Sequence, residues 1–230
     1  MGFIDFIFPK KCINCSRFGD FLCADCFVRI SFNDSFLCCE CLRPAINGMT
    51  HIGCMKRYSM DGVISAVVYN KISKKLIARL KYKPYLSRLS EIISEIMDEA
   101  LAQNESFYDF ISKYNPVIVP IPLSSERLRQ RGYNHAEIIG SYVAKYFHLK
   151  LDSSLLIRIK NTKPQFKLSK KERFENIRNA FGIRENSEVP KSAILIDDVA
   201  TSLATLKEAT KILKRNGSKR VLGVTFAQEL

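Results

Sequence analysis

Two neighbouring acidic residues in the last sixth of the chain stand in a pattern that suits a phosphorylated sugar. Asp197 and Asp198 follow the apolar run at 193–196. Three hydroxyl side chains come next, at Thr201, Ser202 and Thr205. Adjacent carboxylates can accept both vicinal hydroxyls of a ribose, and turn amides that open a helix suit a phosphate. The same two acids would also serve to cap a helix or to bind Mg²⁺, as in a receiver-type site, and spacing alone leaves these alternatives open.

A second set of reactive residues lies near the start of the chain. All eight cysteines occur between residues 12 and 54, and the first four form two Cys-x2-Cys pairs: Cys12, Cys15, Cys23 and Cys26. Two such pairs joined by a short loop can place four thiolates around one Zn²⁺. Disulfides or scattered thiols are the alternatives, and a reducing compartment disfavours disulfides. We therefore predict a zinc site here.

The later cysteines repeat the pattern with one exchange. The predicted ligands are Cys38, Cys41, His51 and Cys54, with Cys39 as the spare thiol. Three thiolates and one imidazole are ordinary for zinc, although His51 would equally serve as an unligated loop residue. A site with four protein ligands leaves no position for water, so one or two structural zinc ions are expected. We predict a cysteine-rich zinc-binding module over residues 1–58.

The remaining residues, 59–230, alternate between strand and helix patterns. Strands are predicted at 60–70, 116–122, 155–159, 193–198 and 220–227, and helices at 73–83, 86–102, 134–147, 169–181 and 204–215. This alternation predicts an α/β domain with a largely parallel sheet. Ligands of such sheets bind beyond the carboxyl ends of the strands, which is where Asp197 and Asp198 are expected.

The charge of the chain is strongly positive and unevenly distributed. The formal net charge is +13, and residues 113–184 alone carry +10, from 15 lysines and arginines against five acidic residues. Such a surface attracts phosphates of nucleic acids or small ligands, or is simply a solvated basic face. No apolar run of about 18 residues occurs, and the first residues have the wrong charge order for a secretory signal. We expect a cytoplasmic protein without membrane insertion.

Three stretches and the cysteine pattern resemble a known family. ILIDDVATSLATL resembles the phosphoribosyl-pyrophosphate (PRPP) loop of type I phosphoribosyltransferases. VPIPLSSERLRQRGYNHAEIIG and RIKNTKPQFKLSKKERFENIRNAF resemble two further segments of the ComF family, whose members join a zinc module to a phosphoribosyltransferase-like domain. The resemblance covers nearly the whole chain. It implies a type I phosphoribosyltransferase-like parallel sheet with a small N-terminal zinc-ribbon module.

The resemblance also implies roles for individual residues. Asp197 and Asp198 would hold the ribose hydroxyls and act as the catalytic acids. The phosphate would lie among Thr201, Ser202, Ala204 and Thr205. Arg127, Arg129 and Arg131, after the predicted pyrophosphate turn, are candidates to neutralise pyrophosphate, although their spacing cannot put all three on one helix face. Gln165, Lys167 and Arg173 would line the same cleft. Mg²⁺ would accompany PRPP.

One position departs from the family pattern. Leu203 stands where the family has glycine, and if this position needs a left-handed backbone, leucine costs roughly 1–2 kcal/mol. The side chain could also crowd the phosphate. We therefore expect weakened PRPP binding, and the sequence leaves turnover open.

The resemblance further implies a cellular role in DNA uptake during natural transformation, with single-stranded DNA and competence proteins as partners. An alternative is a zinc-dependent adaptor that binds single-stranded DNA without transferase activity, in which Tyr82, Tyr85 and Tyr133 would stack bases. A salvage phosphoribosyltransferase with a small acceptor is the third hypothesis.

Overall fold

Strands joined by helices build the larger part of the molecule, as the sequence predicts. The structure, a computed structural model, describes residues 10–81, 87–162 and 168–229. Its strands are β1 (Gly62–Val68), β2 (Val117–Pro120), β3 (Lys150–Leu151), β4 (Leu156–Arg158), β5 (Phe181–Ile183), β6 (Ser192–Ala200) and β7 (Arg220–Gln228). Five of them form a parallel sheet in the order β1-β7-β6-β2-β3, and β4 pairs with β5 in an antiparallel ribbon. The predicted parallel α/β fold is confirmed.

The helices lie in the connections between these strands and in the cysteine-rich part. They are α1 (Ala24–Phe27), α2 (Lys71–Lys81), α3 (Ser87–Ala102), α4 (Glu105–Tyr114), α5 (Ser125–Arg131), α6 (His135–Tyr146), α7 (Lys170–Ile177) and α8 (Ala204–Arg215). No helix among the described residues has both the length and the apolar character needed to cross a membrane. The bounds of α8 are those predicted from the sequence.

One predicted helix is too long. The helix predicted over 169–181 does begin with its capping box, in which Ser169 and Glu172 each accept a hydrogen bond from the other's backbone. It ends at Ile177, because Asn179 adopts a left-handed backbone with φ 55° and Phe181 opens β5. The sequence patterns do not indicate α4, α5, β3 or β5. The strand predicted over 155–159 forms β4, outside the parallel sheet.

The sheet has apolar clusters on both faces, and β6 contributes to both. Because successive strand side chains point to opposite faces, Ile194 and Ile196 pack on one side and Ala193 and Leu195 on the other. The first cluster includes buried residues of α2, α3 and α6, and the second includes those of α8. All four of these β6 residues are fully buried, which fixes the direction of the acidic residues that follow.

The cysteine-rich part packs directly against this sheet. The backbone of Asn33 donates to the Ala66 carbonyl on β1, and Thr50 donates to the Asp61 carbonyl, both at 2.8–2.9 Å. The Lys75 ammonium on α2 donates to the Asn14 carbonyl at 2.9 Å. The two parts therefore share an extensive contact, and the boundary between residues 58 and 59 stays a prediction.

Candidate functional site

The first cysteine cluster has the geometry of a tetrahedral metal site. One sulfur from each of Cys12, Cys15, Cys23 and Cys26 lies within 4.8 Å of the others. The Cys15 and Cys23 sulfurs are 3.6 Å apart. A zinc tetrahedron with metal–sulfur bonds near 2.3 Å has sulfur–sulfur edges of about 3.8 Å. The four predicted ligands therefore fit a zinc ion.

The second cluster brings together the other four predicted ligands. These are Cys38, Cys41, His51 and Cys54, again within 4.8 Å. His51 Nδ1 lies 3.4 Å from the Cys41 sulfur and 4.0 Å from the Cys54 sulfur. His51 Nε2 lies 3.0 Å from the Pro44 carbonyl oxygen, which can only accept, so the proton is on Nε2 and the Nδ1 lone pair faces the thiols. This orientation is the one that an imidazole ligand needs.

The two clusters share one backbone motif. In each, the residue after the second cysteine is left-handed, Ser16 with φ 64° and Leu42 with φ 59°, and donates to the carbonyl of the first cysteine. The backbone N–H of the first cysteine donates to the carbonyl of the next residue along, which is Arg17 in the first cluster and Arg43 in the second. A backbone turn of this kind aims N–H groups at the sulfurs. The same turn therefore places a Cys-x2-Cys pair at each of the two candidate zinc sites.

Hydrogen bonds favour one thiolate in each cluster, whereas contacts with the other thiols and burial raise the pKa of Cys23 in the first cluster and of Cys54 in the second. Burial opposes ionisation of Cys12, but bonds from the backbone at Cys15 and its neighbours lower its pKa to about 6. At Cys41, bonds from the Arg43 backbone and side chain lower the pKa to about 6. Since the thiolate is the species that binds metal, both sites are chemically suited to zinc.

Cys39, the spare thiol, belongs to neither cluster. It is fully buried, its sulfur lies 2.9 Å from the Thr50 hydroxyl, and burial raises its pKa to about 11. A thiol that stays protonated in an apolar setting acts as a packing residue.

The two acids lie within strand β6 and face different surroundings. The strand is longer than predicted and continues to Ala200, so both acids lie within it, and a carboxylate oxygen of each lies within 4.8 Å of the other and of a His135 ring nitrogen. Asp197 lines a shallow depression with Val199 and the following loop. This depression also includes the four residues predicted to hold phosphate: Thr201, Ser202, Ala204 and Thr205. Asp198 is only 6% exposed and lies toward α2 and α6.

Asp198 is held by charged and polar partners. Its Oδ2 forms an ion pair with Lys81 at the end of α2 and lies 3.5 Å from His135 Nε2 at the start of α6. Burial alone would raise the pKa of Asp198, but Lys81 and His135 together hold it well below its usual range. The carboxylate is therefore ionised and fixed in place.

The pKa of Asp197 is shifted in the opposite direction from that of Asp198. Burial, and then the negative charge of Asp198, raise its pKa above the usual range for an aspartate. One oxygen accepts a hydrogen bond from the Asp198 backbone at 2.9 Å. A neighbouring cation or a hydroxyl-rich ligand would relieve this cost, so Asp197 is the acid poised to meet a ligand.

The three arginines predicted to meet pyrophosphate do not share one side of helix α5, as their spacing requires. Arg127 and Arg131 are half-buried on one side of α5, while Arg129 is exposed. Helix α5 follows β2, the neighbour of β6 in the sheet. Arg131 donates to His135 Nδ1 at 3.2 Å. Arg173 on α7 donates to the hydroxyl of Thr201 at 2.8 Å, so it contacts one of the residues that line the depression.

Some predicted residues cannot be placed or serve another purpose. Gln165, Lys167, Tyr82 and Tyr85 lie outside the described residues. The Tyr133 hydroxyl donates to the Leu80 carbonyl at 2.6 Å, so it anchors α5 and α6 to α2.

Sequence reasoning missed three residues of the site: Lys81, His135 and Arg158. Arg158 on β4 is half-buried, and burial together with the charge of Arg127 lowers its pKa to about 10, while Asp197 acts in the other direction. Its Nε has no hydrogen-bond partner among the described residues. Besides Lys81, Arg158 is therefore a second positive charge within electrostatic reach of Asp197. It lies in the segment RIKNTKPQ, whose basic character was visible in the sequence.

Leu203 adopts the conformation that its position requires. Its backbone is left-handed, with φ 60° and ψ 5°, and it directly precedes α8. Its side chain is only 6% exposed and belongs to the apolar cluster that contains Leu206. Burying a leucine stabilises by about 1.5–3 kcal/mol, which offsets the strain. The loop therefore curls without glycine.

Comparisons with known proteins give named relatives. Over 208 residues, 87% of each chain, it is 28% identical to DNA utilization protein YhgH of Escherichia coli K12. It is 33% identical over 159 residues to competence protein ComFC of Bacillus subtilis, covering 66% of this chain and 58% of that protein. It is 32% identical over 111 residues to competence protein F of Haemophilus influenzae, covering 47% of this chain and 48% of that protein. The chain thus matches less than two thirds of the length of the last two.

Searches by family and by structure add little. No family model matches the chain. Adenine phosphoribosyltransferases of Leishmania tarentolae and Leishmania donovani overlap with it at TM-scores of 0.36 and 0.35, with 11% and 10% identity. The first covers 72% of this chain and 78% of its own, the second 69% and 80%. Overlaps this loose support no conclusion.

The parallel sheet has an acidic pair on β6 that leads into a hydroxyl-rich loop before a helix, and these features define an α/β protein with a candidate ligand site at the end of β6. An N-terminal module with two cysteine clusters is joined to it. Together with the similarity to competence and DNA-utilization proteins, these features support the resemblance of the chain to the ComF family.

Proposed function

We propose that this protein binds PRPP or a related phosphorylated ribose at the loop after β6, and that it acts in DNA uptake. The observation that carries the binding proposal is the shared depression: Asp197 and the predicted phosphate residues line it together. Arg173 reaches the same loop through Thr201. The role in DNA uptake is suggested by the names of the competence and DNA-utilization relatives.

Each residue would supply a different contact. Asp197 would accept hydrogen bonds from the ribose hydroxyls, and the backbone amides before α8 would bind the 5-phosphate. Arg127 and Arg158 would neutralise a further anionic group of the ligand, because both lie within electrostatic reach of Asp197 or of each other. Mg²⁺ bound with PRPP would neutralise pyrophosphate as a leaving group.

The buried Leu203 side chain bears on turnover. Leu203 itself lines the depression, but its side chain packs into the cluster with Leu206, which limits the crowding expected at the phosphate. Binding thus needs no glycine at this position. Transfer of the phosphoribosyl group would require in addition an acceptor beside the depression.

Titration calorimetry with PRPP and Mg²⁺ tests the binding proposal. Wild-type protein should bind, and Asp197→Asn should weaken binding at least about tenfold, which corresponds to 1.4 kcal/mol for loss of a charged hydrogen-bond acceptor. Asp109→Asn, at an exposed position of α4, is the matched control and should bind like wild type. Absence of binding to wild type, or equal binding by the Asp197 and Asp109 variants, would contradict the proposal.

We propose zinc at both cysteine clusters, since each brings four suitable ligands within 4.8 Å. Zinc would crosslink the module and supply most of its folding free energy. Metal analysis of purified protein should give two zinc ions per chain. A Cys38→Ser variant should lower this to one, and a Cys39→Ser variant should keep two, because Cys39 lies outside the clusters.

Binding of single-stranded DNA is a second candidate, favoured by the surface of the first module. Phe18, Phe27 and Phe32 are 63%, 42% and 42% exposed. Lys11 lies over the Phe18 ring, at 4.8 Å from its centroid. Exposed aromatic rings beside cations are the usual means of stacking bases and neutralising phosphates.

Fluorescence anisotropy with a labelled oligothymidylate tests this candidate. Affinity should fall steeply as salt rises, because phosphate contacts release counterions. Phe18→Ala should weaken binding several-fold, whereas Tyr146→Ala, at the 54% exposed Tyr146 of α6, should not. Salt-independent affinity, or equal loss in both variants, would exclude this surface as the DNA site.

A further inference from the structure

A chain of polar contacts connects α5 with strand β6. Arg131 Nη1 lies 3.2 Å from His135 Nδ1, and His135 Nε2 lies 3.5 Å from Asp198 Oδ2. His135 is 3% exposed and Asp198 is 6% exposed, so neither exchanges readily with solvent partners. The imidazole thus touches both the arginine and the acid.

The chemistry of the partners fixes the state of this imidazole. Arginine can only donate, so His135 Nδ1 accepts, and the ring proton lies on Nε2, where it points to Asp198. Burial lowers the pKa of His135 and outweighs the effect of Asp198, which keeps the ring neutral. Lys81 supplies the counter-charge of Asp198 separately. The ring therefore orients Asp198 as a neutral donor.

The position of Arg131 gives this contact a consequence. Arg131 stands on the helix that follows β2, whereas Asp198 stands next to Asp197, which lines the depression. A guanidinium has five N–H donors, so Arg131 can contact an anion while it keeps its bond to His135. An anion that shifts Arg131 would thus also shift His135 and, through it, Asp198.

We propose that His135 is a positioning residue that couples anion binding beside Arg131 to ribose binding at the acidic pair. This inference rests on the proposed function. A ligand at either place holds the shared side chains in one arrangement, so the second ligand finds them already positioned and binds more tightly. Couplings of this kind are commonly about fivefold or more in affinity.

Calorimetric titration of ribose 5-phosphate, with and without saturating inorganic pyrophosphate at constant Mg²⁺, measures the coupling. The key variants are His135→Asn, whose amide oxygen keeps an acceptor toward Arg131, and His135→Gln, whose amide N–H keeps a donor toward Asp198. Neither bridges both partners. Repulsion between the two anionic ligands acts equally in all proteins. Relative to both variants, wild type should show at least about a fivefold more favourable effect of pyrophosphate.

Two surface variants keep the test decisive if the buried His135 variants unfold. Arg131→Gln should lose the coupling, and Arg129→Gln, at the exposed neighbour on α5, should retain it. Thermal melting confirms that each protein is folded. Equal coupling in wild type, the His135 variants and Arg131→Gln would overturn the inference while leaving ribose phosphate binding intact. If wild type binds neither ligand, the proposed function falls, and this inference with it.

Discussion

Replacement of Leu203 separates backbone strain from side-chain burial. Leu203 is left-handed and 6% exposed. Leu203→Ala keeps the strain and loses the packed side chain, so we expect a loss of about 2 kcal/mol in the free energy of unfolding, at the lower end of the range for buried leucines. Leu203→Gly loses the same packing but removes about 1–2 kcal/mol of strain.

Glycine also makes the unfolded chain more flexible, which costs roughly 0.5–1 kcal/mol. The gain from relieved strain is larger, so Leu203→Gly should be more stable than Leu203→Ala by about 0.5–1 kcal/mol. Both should be less stable than wild type. Urea unfolding of the zinc-loaded protein, followed by circular dichroism, measures these differences.

At a control position inside α8, the order of stability of the glycine and alanine variants should be reversed. At Lys211, in regular helix, the glycine variant should be less stable than the alanine variant by about 1 kcal/mol. If Leu203→Ala proves as stable as Leu203→Gly or more so, the left-handed backbone at this position costs little and our reasoning about the loop is wrong.

Three further predictions concern stability. Asp61→Asn should cost about 3–5 kcal/mol in urea unfolding, because Asp61 is 5% exposed and its partner Lys214 would keep a buried charge without its ion pair; a loss below about 1 kcal/mol would contradict this. Burial, and then Glu95, raise the pKa of Asp98 to about 6. The protonated side chain is thus favoured in the folded state, and the stability that it contributes is present below about pH 4 and is lost as the pH rises through 6. The difference in unfolding free energy between wild type and Asp98→Asn should fall over that interval, and a flat difference would refute it. Removal of zinc with a chelator should lower the melting temperature, and added zinc should restore it; unchanged melting of demetallated protein would show that the clusters are not structural.

Local features of the sequence predicted the metal clusters well. The Cys-x2-Cys spacing places both cysteines on one turn, so Cys12 and Cys15 meet without any help from the rest of the fold. The hydroxyl loop after Asp197 is equally local, because strand, turn and helix follow directly along the chain. These parts needed only short-range geometry.

Contacts between distant segments could not be predicted in the same way. Nothing in the basic helix pattern of α2 indicates that Lys81 meets Asp198, since that contact depends on how α2 and β6 pack. The pairing of β4 with β5 is hidden for the same reason, because three-residue strands leave little periodicity to recognise. The sequence raised a left-handed backbone at Leu203 only as a possibility. The burial of its side chain depends on tertiary packing, which the sequence does not reveal.

The contact between the cysteine-rich part and β1 has a consequence for solubility. Strand β1 is the last strand on its side of the sheet, and an uncovered edge strand offers its N–H and C=O groups to other chains. Here the Phe32 segment forms an antiparallel bridge to Val67, and the Val68 backbone donates to the Ser31 carbonyl. The module is thus a cap on an open edge. If the proposed zinc ions hold the module together, their removal would expose β1 to edge-to-edge association, so chelator-treated protein should aggregate, with the sheet itself still folded.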